Sequence, residues 1–151
     1  MRVEPYDGPA ATGLLAAFEA EIAAHYPGWN LSAGPSATRA DFTAPGGAFV
    51  VAYDGGGQPV ACGGLKRLNG EAAEIKRVYV APEARGVGLA RRLLAHLETL
   101  ASTAGYRVVR LDTGAHQPGA LHLFRTAGYH EVDDYNGNPF AAYWFEKPVP
   151  G

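Results

Sequence analysis

The stretch Val78-Tyr79-Val80-Ala81-Pro82-Glu83-Ala84-Arg85-Gly86-Val87-Gly88-Leu89-Ala90-Arg91-Arg92 decides how this chain folds. It reads as a strand, a break at Ala81 to Ala84, and a glycine-containing turn that opens a helix. The helix is predicted from Gly86 to Ala104, with Leu89, Leu93, Leu94, Leu97 and Leu100 on its apolar side and Gly105 as its C′ residue. The first turn of a helix carries N–H groups without partners and the positive end of the helix dipole. Gly86 and Gly88 bring no side chain that would hold a phosphate away from those amides, and Arg85, Arg91 and Arg92 add positive charge. The segment therefore predicts an anion site suited to a pyrophosphate.

Upstream, Ala48 to Tyr53, Val60 to Leu68 and Ala73 to Val80 read as three strands. The turns Asp54-Gly55-Gly56-Gly57 and Asn69-Gly70 join them, which makes an antiparallel meander. Before it, Val3 and Pro5 suggest a short edge strand, and Asp7 reads as the N-cap of a helix with Pro9 in its first turn. Leu14, Leu15, Phe18, Ile22 and His25 carry that helix to about Ala24. The loop Asn30 to Ser36 is too short to divide domains, and a weak helix is expected around Ala37 to Phe42. Downstream come a strand at Val108 to Leu111, a helix at Pro118 to Ala127 stopped by Gly128, and strands at Tyr129 to Val132 and Ala141 to Phe145. The order β-α-α-β-β-β-α-β-α-β-β is an α+β pattern, a sheet with helices packed on it.

Composition narrows the function. The 151 residues fit one domain, taken as 1–151, and are enough to bury a core without staples. The 20 glycines and 11 prolines are scattered, so they mark turns rather than disorder. A net charge of −2 with one local basic cluster argues against a nucleic-acid partner. The start Met1-Arg2-Val3-Glu4-Pro5 has no apolar signal core, and no apolar run approaches a membrane span, so no membrane partner and a cytoplasmic location are expected. Cys62 is the single cysteine; its strand position marks a small buried hydrophobe rather than an acyl carrier. His116 and His130 have no metal-ligand spacing with it or with a carboxylate pair, and no metal is expected.

Two phosphate-binding motifs fail at the glycine turn. A P-loop requires Gly-Lys-Ser/Thr after a glycine and four residues, which is absent. A dinucleotide fingerprint requires a third glycine where Arg91 stands, and a parallel βαβ unit where the meander lies. The segment Arg85-Gly86-Val87-Gly88-Leu89-Ala90 instead resembles the acetyl-CoA motif of the GNAT superfamily of N-acetyltransferases, Arg/Gln-x-x-Gly-x-Gly/Ala. Glu74 to Val80 resembles that family's fourth strand, and Ala120 to Tyr129 its last conserved helix; the likeness spans roughly Gly46 to Lys147.

The resemblance implies a GNAT-like acyl-CoA fold: a mixed, mostly antiparallel central sheet of about six to seven strands with helices on both faces. It implies an enzyme that moves an acetyl group from acetyl-CoA to a primary amine by direct transfer. A small-molecule acceptor is the leading expectation; a protein lysine or N-terminal acetyltransferase and a non-catalytic acyl-CoA sensor are the alternatives. Val78, Tyr79 and Val80 would run along the pantetheine arm, and the amides of Arg85, Gly86, Val87, Gly88, Leu89, Ala90 and Arg91 would hold the pyrophosphate. The Val80 amide would stabilise an oxyanion. Glu74 resembles the glutamate that serves as general base in some relatives. The family's usual proton-donating tyrosine is replaced by Phe124, and the asparagine a turn earlier by Gln117. Tyr129 or His122, or a water, would have to protonate the leaving thiolate, unless it leaves unaided. Tyr26, Trp29 and Tyr135 are the acceptor-side candidates, with Glu21, Asp41 or Asp134 nearby to suit a cationic amine. Homodimers are common in the family, so self-association is a further expectation.

Overall fold

A computed structural model describes residues 1–29 and 37–151. The expected loop from Asn30 to Ser36 lies outside the described residues. The elements are β1 (Arg2–Val3), α1 (Pro9–Ala23), β2 (Ala48–Tyr53), β3 (Pro59–Arg67), β4 (Ala72–Val80), a 3-10 turn (Pro82–Ala84), α2 (Leu89–Thr103), β5 (Val108–Thr113), α3 (Pro118–Thr126), β6 (His130–Val132) and β7 (Tyr143–Pro148). They form one seven-stranded sheet in the order β1-β2-β3-β4-β5-β7-β6. Every neighbouring pair is antiparallel except β4 and β5.

Helices cover both faces, as expected. Leu93, Leu94, Leu97 and Ala101 of α2 pack with Val50, Leu65, Ile75 and Leu111 of the sheet, and Phe124 of α3 joins the same cluster. On the opposite face, Ala11, Leu14 and Leu15 of α1 meet Phe49, Val51, Cys62 and Tyr79. The α1 positions recur three and four apart, the spacing that gives a helix one buried side.

Three local expectations differ from the structure. Residues 37–42 form turns, not a helix, and Asp41 Oδ2 accepts a hydrogen bond from Thr38 N at 2.8 Å. That local bond competes with a helical ladder. Asp7 is not the N-cap of α1; Gly8 holds that position, and Asp7 pairs with Arg39 at 3.1 Å. The third concerns α2, which starts at Leu89 rather than Gly86, because Gly88 at its N-cap takes the left-handed conformation, φ 79°.

Two features of β4 prepare the site. It pairs with β5 only at Ala72, Ala73 and Glu74, so the strands part from Ile75 onward. It also carries one residue more than β3 across the ladder: Lys76 faces Gly64, yet Tyr79 faces Cys62. Arg77 sits within this bulge with φ 59°. A bulge bends its strand and disrupts the local ladder.

Candidate active site

The parting of β4 from β5 leaves a row of main-chain groups facing no strand. Ala81 N donates to Val60 O at 2.8 Å, so residue 81 points its amide at β3. Alternation along an antiparallel strand then turns the main-chain groups of Val80 and Val78 toward the gap. Arg85 agrees with this geometry, because its Nε donates to Val80 O at 2.8 Å from that side.

The gap opens into a cavity of about 550 Å³. One wall is β4 at Ile75 to Val78 and Val80; the facing wall is Leu111, Asp112 and Thr113 of β5. Ala90 in the first turn of α2, with Leu123 and Phe124 of α3, lines the part beside that helix, and Gln117, whose Oε1 accepts from Gly114 N at 3.3 Å, lies next to His116. The other end is aromatic: Phe18, Tyr26 and Trp29 from α1 and the chain after it, with His116 and Phe140.

At the α2 end, the helix has no side-chain N-cap and no acidic residue in its first turn. Its leading amides therefore have no competing intramolecular anion. A Cβ on Gly86 or Gly88 would meet no atom within 4 Å, so the approach to those amides is open. Arg85 ties the site to α1 through Nη2, which donates to both Glu21 carboxylate oxygens, at 2.9 and 2.7 Å. The Arg91 side chain is committed elsewhere, donating to Thr126 O and Oγ1 at 3.1 and 2.6 Å, while its amide stays in the first turn. Val87 is exposed and outside the cavity lining, and Tyr79 faces away from the α2 side, packed with the α1 cluster.

The acid–base candidates from the sequence fall outside the cavity. Glu74 is 2% exposed and does not line it. Glu74 Oε2 accepts from Tyr135 Oη at 2.6 Å and Asn136 Nδ2 at 3.0 Å, and Oε1 lies 3.6 Å from Lys76 Nζ. Tyr135 is thereby a partner of Glu74 rather than a wall of the cavity, and burial beside that carboxylate raises its phenol pKa strongly. Tyr129 is also buried, donating to Glu98 Oε2 at 2.7 Å; burial and the Glu98 charge raise its pKa strongly. Lys147 Nζ pairs with the same Glu98 at 2.9 Å. The hydroxyl of Tyr129 is thus a core group, and Phe124 beside it presents a ring to the cavity. His122 is outside the lining. Cys62 is fully buried, and burial pushes its thiol up to about 12, a poor nucleophile.

Of the residues expected from the sequence to face an acceptor, Tyr26 and Trp29 both line the cavity. Tyr26 also bridges it: its Oη accepts from His116 N at 2.9 Å, and its ring lies tilted against the His116 ring and meets Phe140 edge-on. Trp29 packs edge-on against Phe18. Of the three acidic side chains named with them, Glu21 lines the cavity, whereas Asp134 closes a turn to Asn136 N and Gly137 N, and Asp41 holds Thr38. Gly114 makes the Tyr26 bridge possible, since a Cβ there would overlap the Tyr26 hydroxyl and lie 3.1 Å from Phe140 O. For the acetyl transfer expected from the sequence, Gly114→Ala should displace Tyr26 and raise the amine KM about tenfold, a cost of about 1.4 kcal/mol. Steady-state kinetics with each substrate varied in turn would check this; a raised acetyl-CoA KM alone would contradict it.

One cavity carboxylate was not singled out from the sequence. Asp112 follows Leu111, where the predicted strand ended, and the alternation of buried Leu111 with Asp112 was the signal available. Its Oδ2 accepts from Asn136 Nδ2 at 2.6 Å and Asn138 Nδ2 at 3.3 Å. Burial raises its carboxyl pKa, partly offset by those two amides and by Lys76.

A sheet parted beside an uncapped helix N-terminus leaves a slot for an extended ligand that carries an anionic group. The chain belongs to the acetyltransferase (GNAT) family, whose model matches residues 14–129. It is 34% identical over 105 residues, 67% of each chain, to the IAA acetyltransferase of Azospirillum brasilense. The chain spans about two thirds of that relative's length and 59% of that of the next. Among solved structures it matches a protein of Klebsiella pneumoniae assigned as an acyl-CoA N-acyltransferase, with TM-score 0.77 and 25% identity, over 98% of this chain and 95% of that one. A GNAT family acetyltransferase of Elizabethkingia anophelis, solved with acetyl-CoA bound, shares the fold at TM-score 0.69 and 17% identity, over 98% and 96% of the chains.

Proposed function

We propose that this chain moves an acetyl group from acetyl-CoA to the primary amine of a small molecule, with both substrates bound at once. The observation that carries the reading is one continuous cavity, from the first turn of α2, past the unpaired edge of β4, to an aromatic end. Acetyl-CoA supplies the activated acyl group as a thioester. The α2 amides from Leu89 to Arg91 suit its pyrophosphate, and the edge of β4 at Val78 and Val80 suits the amide groups of its pantetheine arm. The Val80 amide, turned to the gap, suits the oxyanion formed on attack. Gln117 and Phe124 line the same cavity.

The Tyr26 bridge between α1, the β5–α3 loop and Phe140 narrows the aromatic end, which supports a small acceptor over a folded protein surface. Phe124 favours a second reading, in which acetyl-CoA binds without turnover, because the ring has no proton to give. Both are tested by acetyl-CoA-dependent thiol release against amino acids, polyamines, aminoglycosides and lysine peptides, with a no-amine control. Amine-dependent release with a small amine is the expected result. Saturable acetyl-CoA binding without release supports the sensor, and release with peptides alone overturns the small-molecule assignment.

A further inference from the structure

The amine enters mostly as an ammonium at neutral pH, with an ordinary pKa of about 10, so some group must take its proton. Glu74 is badly placed for this, being buried behind the cavity with its oxygens occupied by Tyr135, Asn136 and Lys76. Asp112 is differently situated. It lies two residues past Arg110, the last residue of β5 that pairs with β4, and so stands where the strands part. Both amide donors fall on Oδ2, and Oδ1 accepts no hydrogen bond among the described residues. Half of the carboxylate is held and half is presented.

The holding is specific. Asn136 Oδ1 accepts from Trp144 Nε1 at 3.0 Å, which fixes the amide so that its Nδ2 faces Asp112 and Glu74 together. Lys76 on β4, whose charge also favours the ionised form of Asp112, lies 3.6 Å from Glu74, and across the cavity Arg85 is paired with Glu21. What Asp112 leaves open to a ligand is its Oδ1.

We infer that Asp112 binds the primary ammonium of the acceptor through Oδ1 and takes its proton, with Asn136 and Asn138 as positioning residues. This rests on the acetyl-transfer reading above. One proton passes from nitrogen to Asp112, and the freed lone pair forms the C–N bond to the thioester carbonyl carbon. The C–S bond breaks, and the second nitrogen proton leaves to the thiolate or to water. Asp112 then returns its proton to solvent. Burial, with Glu74 nearby, raises the Asp112 pKa, which strengthens it as a base. Below that pKa it is neutral and neither binds nor accepts, so the rate rises with pH through it. Tyr135 faces it as a neutral phenol.

The test compares wild type, Asp112→Asn and Glu74→Gln. Asparagine keeps an acceptor for both amides, so the first variant retains the local bonds. Calorimetry with 2-phenylethylamine, in the presence of CoA, is expected to give saturable binding weakened at least tenfold by Asp112→Asn. Acetyl-CoA affinity should stay within about twofold. With the best amine of the panel, kcat/KM at neutral pH should fall about 100-fold in Asp112→Asn, and its acid limb should be lost from the Asp112 range and replaced by a rise toward pH 10, where the free amine dominates. Glu74→Gln should keep the acid limb. Absence of 2-phenylethylamine binding to the wild type, equal binding by Asp112→Asn, or loss of the limb in Glu74→Gln instead, would each overturn the inference. Asp112-dependent amine binding without any thiol release would sink the transfer reading while leaving the ammonium site standing.

Discussion

Gly88→Asp is expected to weaken acetyl-CoA binding about 100-fold, equivalent to about 2.7 kcal/mol, with little change in stability. Gly88 is the N-cap of α2, and nothing lies within 4 Å of a Cβ built there. The new carboxylate would sit at the positive end of the helix, where the pyrophosphate is proposed to bind. Two like charges 4 Å apart repel by about 4 kcal/mol at an effective dielectric constant of about 20, enough to account for the loss. The stability terms oppose each other. The left-handed backbone, φ 79°, costs a side chain about 1 kcal/mol, and aspartate tolerates it better than most. A negative charge at a helix N-terminus returns about 0.3–1 kcal/mol. Gly88→Asn, similar in shape and uncharged, should keep most of the affinity. Calorimetric titration beside thermal melts would check both, and equal losses in the two variants would show that shape rather than charge governs the site.

A second replacement should act on the fold alone. Gly47→Ala is expected to cost about 3 kcal/mol or more. A Cβ at Gly47 would overlap Asp41 O and lie 2.7 Å from Leu65 O, both main-chain atoms that no rotamer change can move. Gly47 leads directly into β2, whose first residue, Ala48, pairs with Leu65. The wedge would therefore part β2 from β3 or expel the turns before it, including the Gly47 N to Thr43 O bond of 3.0 Å. For a domain of this size the melting temperature should drop by about 6–12 °C. Gly55→Ala, with open space around its Cβ, is the matched control and should change stability by less than about 0.5 kcal/mol. A melting temperature unchanged by Gly47→Ala would mean that the entry to β2 yields more easily than its packing implies.

What could be read from the sequence was local in origin. The meander followed from Asp54-Gly55-Gly56-Gly57 and Asn69-Gly70, and the second helix from its leucine spacing. The insertion of β7 between β5 and β6 depends on pairings such as Leu111 with Phe145, which no short-range pattern carries. The same distinction governs the site. The glycine turn announced the α2 end because its chemistry lies within a few consecutive residues. Glu74, flanked by Lys76 and Arg77, has the local pattern of a solvated strand face. Its burial comes from Tyr135 and Asn136, 61 and 62 positions away. Asp112 was missed for a related reason: β5 was expected to stop at Leu111, which left the carboxylate in a loop without a face.

The bulge at Arg77 gives the chain a change of parity. Before it, odd-numbered side chains, Ala73 and Ile75, join the α2 cluster; after it, even-numbered ones, Val78 and Val80, do so. Removing that one residue would leave both halves of β4 with their apolar sides still inward, while erasing the bend. The slot between β4 and β5 thus hangs on a length difference of one residue between adjacent strands. Substitutions along β4 leave that count unchanged, and an insertion or deletion is the only change that resets it.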